Sequence, residues 1–205
     1  MYFRNINLFF MKLVFATNNQ NKLKEVKQLL PAAIELLSLN DIDCGDDINE
    51  SGKTIRENAK IKSRYIYEKF GMNCFADDTG LEVDAIGGRP GVYSARFAGP
   101  ACRSEDNINK LLIELKGIEN RKANFRTVIS LIIDGKEEAF EGVVNGVITN
   151  EERGSNGFGY DSVFMPEGFD MTFAEMSAQE KNEISHRGIA VNKLITFIRQ
   201  LNDKE

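Results

Sequence analysis

Cysteine and histidine are scarce in this 205-residue sequence, and it has no long apolar run. The three cysteines, Cys44, Cys74 and Cys102, are widely spaced, which excludes a disulfide framework and the paired spacing of a zinc site. This cysteine usage predicts a reducing, cytoplasmic environment. No segment approaches the roughly 20 apolar residues that a membrane-spanning helix requires, so we expect no membrane partner.

An excess of positive charge is missing as well. The chain has 26 Lys and Arg against 31 Asp and Glu, a formal net charge of −5. Non-specific nucleic-acid binding needs a broad basic surface, so we expect no nucleic-acid partner. A small phosphorylated ligand is still compatible with this charge, because magnesium and a few local lysines can create a positive pocket.

The N-terminal segment MYFRNINLFF precedes a second methionine, Met11, which begins MKLVFATNN. Arg4 could be the basic part of a signal peptide, but Lys12 interrupts the apolar run and a polar stretch follows at once. We therefore expect residues 1–10 to be an N-terminal extension and residues 11–205 to form a single domain.

The hydrophobic pattern predicts a mixed α/β protein. Strands are predicted at Leu13–Ala16, Ile34–Leu39, Cys74–Ala76, Leu81–Val83, Asn124–Ile133 and Glu138–Thr149, and helices at Asn19–Leu30, Thr54–Phe70 and from about Gly188 to Leu201. Asp134-Gly135 indicates a hairpin turn, and Ser177 with Glu180 matches a capping box. Because no linker or repeat is visible, we expect two lobes packed around a cleft.

Two adjacent acids, Asp77 and Asp78, follow a short apolar run in FADDTGL. We expect the strand to end there and a turn to present both carboxylates. Paired acids repel each other unless a cation or a reacting proton offsets the charge. The pair therefore indicates a magnesium site or a general base, which Glu50 could complete. The plainer interpretation is a solvated acidic turn.

A strand-to-helix passage at Thr17–Lys22 is a candidate phosphate site. Backbone amides at a helix N-terminus attract phosphate oxygens, and Lys22 adds a charge. The P-loop pattern is absent, and an ordinary capped turn would look the same. The candidate residues here are Thr17, Asn18, Asn19, Gln20, Asn21 and Lys22.

Two further clusters lie in the C-terminal half. In Phe158-Gly159-Tyr160-Asp161 the aromatic ring of Phe158 could stack on a flat base and Asp161 could accept from a ring N–H, although a turn with core aromatics would also fit. Lys181, His186 and Arg187 supply donors suited to carbonyl or phosphate oxygens. A lone histidine such as His186 is more often structural.

Together and in this order, these segments resemble the inosine triphosphatase family. The matching segments are FATNNQNKLKEV, ESGKTIRENAKIKS, ADDTGLEVDAIGGRPGVYSARFAG, GFGYDSVF and SHRG, and they extend from about Met11 to about Leu201. The resemblance implies an α/β fold with a long twisted mixed central sheet, flanking helices and two lobes around a substrate cleft. It also implies a homodimeric enzyme that uses Mg²⁺ to cleave ITP, dITP and XTP to the monophosphate and pyrophosphate.

The resemblance also implies roles for individual residues. Asp78 corresponds to the catalytic acid and, with Glu50, to the metal ligands, while Asp77 would tune its neighbour. Residues 17–22 correspond to the triphosphate loop, and Thr79 stands where many relatives have serine. The remaining substrate-binding residues are Phe158, Gly159, Tyr160, Asp161, Lys181, His186 and Arg187.

Two alternative functions fit the same motifs. One is a house-cleaning pyrophosphatase for other modified nucleotides, such as altered pyrimidines. The other is a catalytically silent nucleotide-binding regulator, since a fold alone does not prove activity.

Overall fold

A seven-stranded mixed sheet forms the centre of the computed structural model, which describes residues 11–101 and 103–202. The predicted extension at 1–10 and Cys102 lie outside these residues. The strands are β1 (Met11–Phe15), β2 (Ile34–Leu37), β3 (Cys74–Val83), β4 (Arg89–Gly91), β5 (Lys122–Ile133), β6 (Lys136–Ile148) and β7 (Phe164–Pro166). Their spatial order is β2-β1-β3-β5-β6-β7, and β4 pairs with β3.

Parallel and antiparallel pairing meet at β3. Strand β1 runs parallel to β2 and β3, whereas β5 pairs antiparallel with β3 from Cys74 to Val83. Strands β5 and β6 form the predicted long hairpin. At its turn Asp134 and Gly135 both have positive φ, 49° and 78°, as a two-residue hairpin turn requires.

Helices flank the sheet. They are α1 (Gln20–Leu29), α2 (Ile55–Phe70), α3 (Ser104–Glu114), α4 (Ala178–Ile184) and α5 (His186–Asn202). Asn19 and Thr54 cap α1 and α2, and Ser177 with Glu180 forms the predicted capping box on α4. Among the described residues, no helix combines the length and apolar character needed to cross a membrane. The predicted mixed α/β class is confirmed.

The apolar core is divided along β3. Phe75 packs in a cluster with Leu13 and Val191, whereas Leu81, further along the same strand, packs with Phe125 in another. The polar segment between these clusters contains both acids of the sequence motif. The fold therefore places chemistry-bearing side chains at the middle of the sheet rather than at its rim.

The predicted turn at the acid pair is wrong. Strand β3 continues without a break through Asp77 and Asp78, which are 1% and 8% exposed. Side chains alternate between the two faces of a strand, so the two carboxylates point in opposite directions. Each acid therefore has its own partners.

Candidate active site

A cavity of about 370 Å³ opens beside the middle of β3. It is lined from the turn after β1 and the N-terminus of α1, from the segment around Glu50, from α2 through Lys62, and from the start of α5. Every residue predicted from the sequence to bind substrate, metal or the reacting water lines this cavity, except Gln20 and Asn21. Those two are exposed on α1.

The N-terminus of α1 satisfies part of its own hydrogen bonding. The Asn19 side chain accepts from the backbone amides of Asn21 and Lys22 at 3.0 and 3.2 Å, and Thr17 Oγ1 accepts from the amide of Asn19. Three backbone amides of this candidate phosphate site, those of Asn19, Asn21 and Lys22, are thus already bonded. An anion at this turn would meet the Lys22 ammonium and the polar side chains of Thr17 and Asn18 instead.

Asp77 lies on the face of β3 that carries two cations. Its carboxylate accepts from Lys22 Nζ at 3.0 Å and from Arg187 Nε at 3.1 Å. Burial alone would raise the pKa of Asp77, but the charges of Lys22 and Arg187 outweigh it and hold that pKa well below its usual range. Burial lowers the pKa of Lys22, against the attraction of Asp77. Asp77 is therefore a buried counter-ion.

Asp78 lies on the opposite face, against α2. Asn58 Nδ2 donates to its carboxylate at 3.2 Å, and Lys62 Nζ lies 3.7 Å from it and 2.7 Å from Glu50 Oε1. Burial raises the pKa of Asp78, and the charges of Lys62 and Lys22 offset only part of that effect. Such a carboxylate is a better proton acceptor than an exposed one.

The donor set at Glu50 and Asp78 suits one kind of metal site. Among the residues the structure describes, no three His, Cys, Asp or Glu side chains converge as a metal-binding group. Magnesium, however, is commonly bound through one or two carboxylates together with substrate phosphates and water. Both acids contact Lys62 and offer the carboxylate oxygens that magnesium prefers, so their chemistry suits that mode of binding.

A second ionic cluster joins α1 to α4 and α5. Lys181 Nζ contacts Glu25 Oε1 at 2.7 Å and Asp161 Oδ2 at 2.6 Å, and Arg187 Nη1 contacts Glu25 Oε2 at 2.5 Å. Burial would raise the pKa of Glu25, but Arg187 and Lys181 together lower it. Burial raises the pKa of Asp161 despite the Lys181 charge. Lys181 and Arg187, both predicted from the sequence to bind substrate, are thereby held at the cavity wall.

Aromatic rings form the adjoining wall. Lys181 Nζ lies 5.1 Å and Arg187 Cζ 5.7 Å from the ring centroid of Phe158. His186, the first residue of α5, stacks on Phe125 with centroids 4.5 Å apart. Burial, with the charges of Arg187 and Lys181, places the pKa of His186 well below its usual value, so the ring is neutral at pH 7. Its Nδ1 has no hydrogen-bond partner among the described residues.

The far wall depends on the segment around Ser94. The Tyr160 hydroxyl donates to the carbonyl of Ser94 at 2.9 Å, and Ser94 Oγ accepts from the amide of Leu81 at 2.9 Å. Asn107 Nδ2 donates to the carbonyl of Ala95 at 2.9 Å. Tyr160 is therefore a packed anchor of the wall, and its hydroxyl is already engaged within the protein.

Sequence reasoning missed several residues of the site, among them Glu25, Asn58 and Lys62. Lys62 had a usable signal, because it falls in register with Ile55 and Ile66 on the buried stripe of α2. A charged residue on an apolar stripe needs a buried partner. Asn58 is buried on the same helix face, four residues before Lys62, so the same signal applied to it. Glu25 had no comparable signal, since Lys181 and Arg187 are 156 and 162 residues away from it.

Comparison with known proteins gives a consistent result. The model of the Ham1 family matches residues 13–197. A dITP/XTP pyrophosphatase of Flavobacterium johnsoniae is 54% identical over 188 residues, covering 92% of this chain and 98% of that protein. The dITP/XTP pyrophosphatase of Porphyromonas gingivalis is 48% identical over 188 residues, covering 91% of this chain and 97% of that protein.

Solved structures agree with these sequence matches. The Staphylococcus aureus Ham1 protein superposes with a TM-score of 0.84 at 39% identity, covering 92% of this chain and 98% of that one. A HAM1 protein from Coxiella burnetii superposes with a TM-score of 0.85 at 37% identity, covering 93% and 99%.

Proposed function

The chain belongs to the Ham1 family, and on that premise we propose that it is a nucleoside triphosphate pyrophosphatase. It hydrolyses the non-standard purine nucleotides ITP, dITP and XTP to the monophosphate and pyrophosphate, and so removes deaminated purines from the nucleotide pool. The observation that carries this proposal is the cavity itself. Glu50 and Asp78, Lys22 and Lys62, and an aromatic wall line one space of about 370 Å³.

The cations of the cavity suit a triphosphate. Lys22 is at the start of α1 and Lys62 is on α2, and both line the cavity. Each is bonded to a carboxylate, Asp77 or Glu50, which keeps its ammonium group in place. Preorganised cations stabilise phosphate charge without rearranging during the reaction. We assign the polyphosphate chain to this side of the cavity, with Thr17 and Asn18 beside it.

Glu50 and Asp78 are the residues that would hold the cation Mg²⁺. A bound magnesium ion supplies neutralisation of phosphate charge and orientation of the α-phosphate. Lys62 contacts both carboxylates. Its ammonium group limits their mutual repulsion.

Asp78 is the general base in this proposal. Its carboxylate is buried and lines the cavity from the α2 side of β3, and its raised pKa makes it able to accept a proton from water. The water then attacks the α-phosphorus, and pyrophosphate leaves. Lys22 stabilises the charge that develops on that leaving group.

The part of the cavity beside Phe158 selects the base. Phe158 offers a ring for stacking, and stacking of this kind accepts any purine. Selection among the purine bases must therefore come from hydrogen-bond donors. Arg187 has five N–H groups, and its bonds to Asp77, Glu25 and Thr79 leave others for a ligand. Hypoxanthine and xanthine have an acceptor oxygen at C6, whereas adenine has an amino donor that would leave the arginine unpaired.

We also propose that the protein acts in the cytoplasm as a homodimer. Two large apolar side chains, Tyr93 and Ile113, are 58% and 73% exposed in the single chain, and a second copy could cover such residues. Small nucleotides are the only substrates of the protein in this proposal.

A substrate panel tests the proposed function. With Mg²⁺, we expect pyrophosphate and the monophosphate from dITP and XTP, with kcat/KM about 100-fold or more above that for dATP. Chelation of the metal should abolish product formation. Turnover of modified pyrimidines alone would indicate the wider house-cleaning activity, and binding without turnover would indicate a silent regulator. Either result would contradict the proposal.

A further inference from the structure

A buried asparagine connects the two acids assigned to the metal. Asn58, on the first turn of α2, is 0% exposed. Its Nδ2 donates to Asp78 Oδ2 at 3.2 Å, and its Oδ1 accepts from the backbone amide of Gly52 at 2.8 Å. Gly52 is only two residues after Glu50. One carboxamide thus joins strand β3 to the loop that carries the other acid.

The same loop is held to α2 at neighbouring positions. The amide of Lys53 donates to Glu57 Oε2 at 2.6 Å, and Lys62 contacts Glu50. Asn58 and Lys62 are four residues apart and therefore share a face of the helix. Among these residues of α2, Asn58 and Lys62 also contact Asp78. Asn58 is the uncharged residue of the two.

Gly52 allows the close approach that this bridge needs. A Cβ atom built on Gly52 would lie 2.6 Å from Asn58 Oδ1 and 2.7 Å from Glu57 Cβ. Real side chains do not approach so closely, so any larger residue would move the loop away from the helix. The glycine and the asparagine form a matched pair.

We propose that Asn58 is a positioning residue whose carboxamide fixes Glu50 relative to Asp78, so that both carboxylates can bind one divalent cation. The proposal rests on the metal-dependent function above. Asn58 touches neither the substrate nor the metal in this account. It acts on the reaction through the two acids, as partners of metal ligands commonly do.

Asn58→Ala and Gly52→Ala remove the bridge from its two sides. We expect each variant to lower kcat on dITP about 10- to 100-fold and to weaken Mn²⁺ binding by a similar factor. KM at saturating metal should change less than about threefold, since the cations and the aromatic wall are untouched. Mn²⁺ binding to the free protein is measured from the electron paramagnetic resonance signal of the unbound ion.

Two control variants separate positioning from general structural damage. Ser63→Ala removes a buried hydrogen bond to Ser130 from the same helix, and Gly45→Ala adds a methyl group where no atom lies within 4 Å. Both should retain the wild-type kcat and Mn²⁺ affinity. If Asn58→Ala does not fold, Gly52→Ala decides the question, because it leaves Asn58 and both carboxylates in the chain.

Wild-type Mn²⁺ affinity and kcat in folded Asn58→Ala, or in Gly52→Ala, would overturn the proposal. An equal loss in Ser63→Ala would overturn it too, since the effect would then not be specific to the bridge. Failure of the proposed function gives a different signature. The wild-type protein would then release no pyrophosphate from dITP, while the Mn²⁺ measurements would still report on the bridge.

Discussion

Asp78→Asn is expected to lower kcat on dITP about a thousandfold, within the range for loss of a general base. The amide cannot accept the proton of the attacking water, and it is a weaker metal ligand than a carboxylate. The measurement is steady-state release of pyrophosphate at saturating Mg²⁺. Turnover near the wild-type rate would show that Asp78 is not the base.

The same variant should remain folded. Asn58 Nδ2 can still donate to the oxygen of the new amide, and Lys62 keeps its contact with Glu50 at 2.7 Å. Asp78 also has a raised pKa, which means that the protein does not favour its charged form. Thermal unfolding of Asp78→Asn should therefore resemble that of the wild-type protein, and a collapse of the fold would contradict this account of its surroundings.

Asp77→Asn is expected to give the opposite result and to destabilise the fold by about 3–5 kcal/mol, because it leaves the Lys22 ammonium without a counter-ion and removes one of the two carboxylates paired with Arg187. Asp77 is 1% exposed and bonded to both Lys22 and Arg187. An asparagine offers a single acceptor oxygen, and its NH₂ group would face a group that can only donate. Urea denaturation of the variant and the wild-type protein measures the difference in unfolding free energy.

Glu82→Gln is the matched control for Asp77→Asn. Glu82 is on the same strand and pairs with Arg126, but their side chains are 29% and 32% exposed. Exposed ion pairs contribute little, so we expect a loss within about 1 kcal/mol. Equal losses in the two variants would show that Asp77 is not the counter-ion described here.

The contrast between Asp77 and Asp78 could not be predicted from the sequence. Two charges inside an apolar run indicate a turn, because a buried charge is costly without a partner. The partners exist, but Lys22 and Arg187 are 55 and 110 residues away from Asp77 along the chain. Only the folded structure brings them to β3. The local sequence pattern therefore predicted the wrong end for this strand, although it identified Asp77 and Asp78 as unusual residues.

Other elements were predictable because their causes are local. The hairpin turn at Asp134-Gly135 follows from residues that adopt positive φ, and the capping box at Ser177 and Glu180 depends on four consecutive residues. The set of cavity-lining residues was largely identified through the family resemblance. That resemblance assigned Gln20 and Asn21 to the triphosphate loop, but the structure leaves both on the exposed side of α1.

Hydrolysis of ITP in ¹⁸O-labelled water with Mg²⁺ tests the central claim, which is that water activated at Asp78 attacks the α-phosphorus. The account predicts that mass spectrometry finds the label in inosine monophosphate and none in pyrophosphate. Label in pyrophosphate would mean attack at the β-phosphorus. Labelled orthophosphate with inosine diphosphate would mean attack at the γ-phosphorus, and either result would contradict the placement of the triphosphate proposed here.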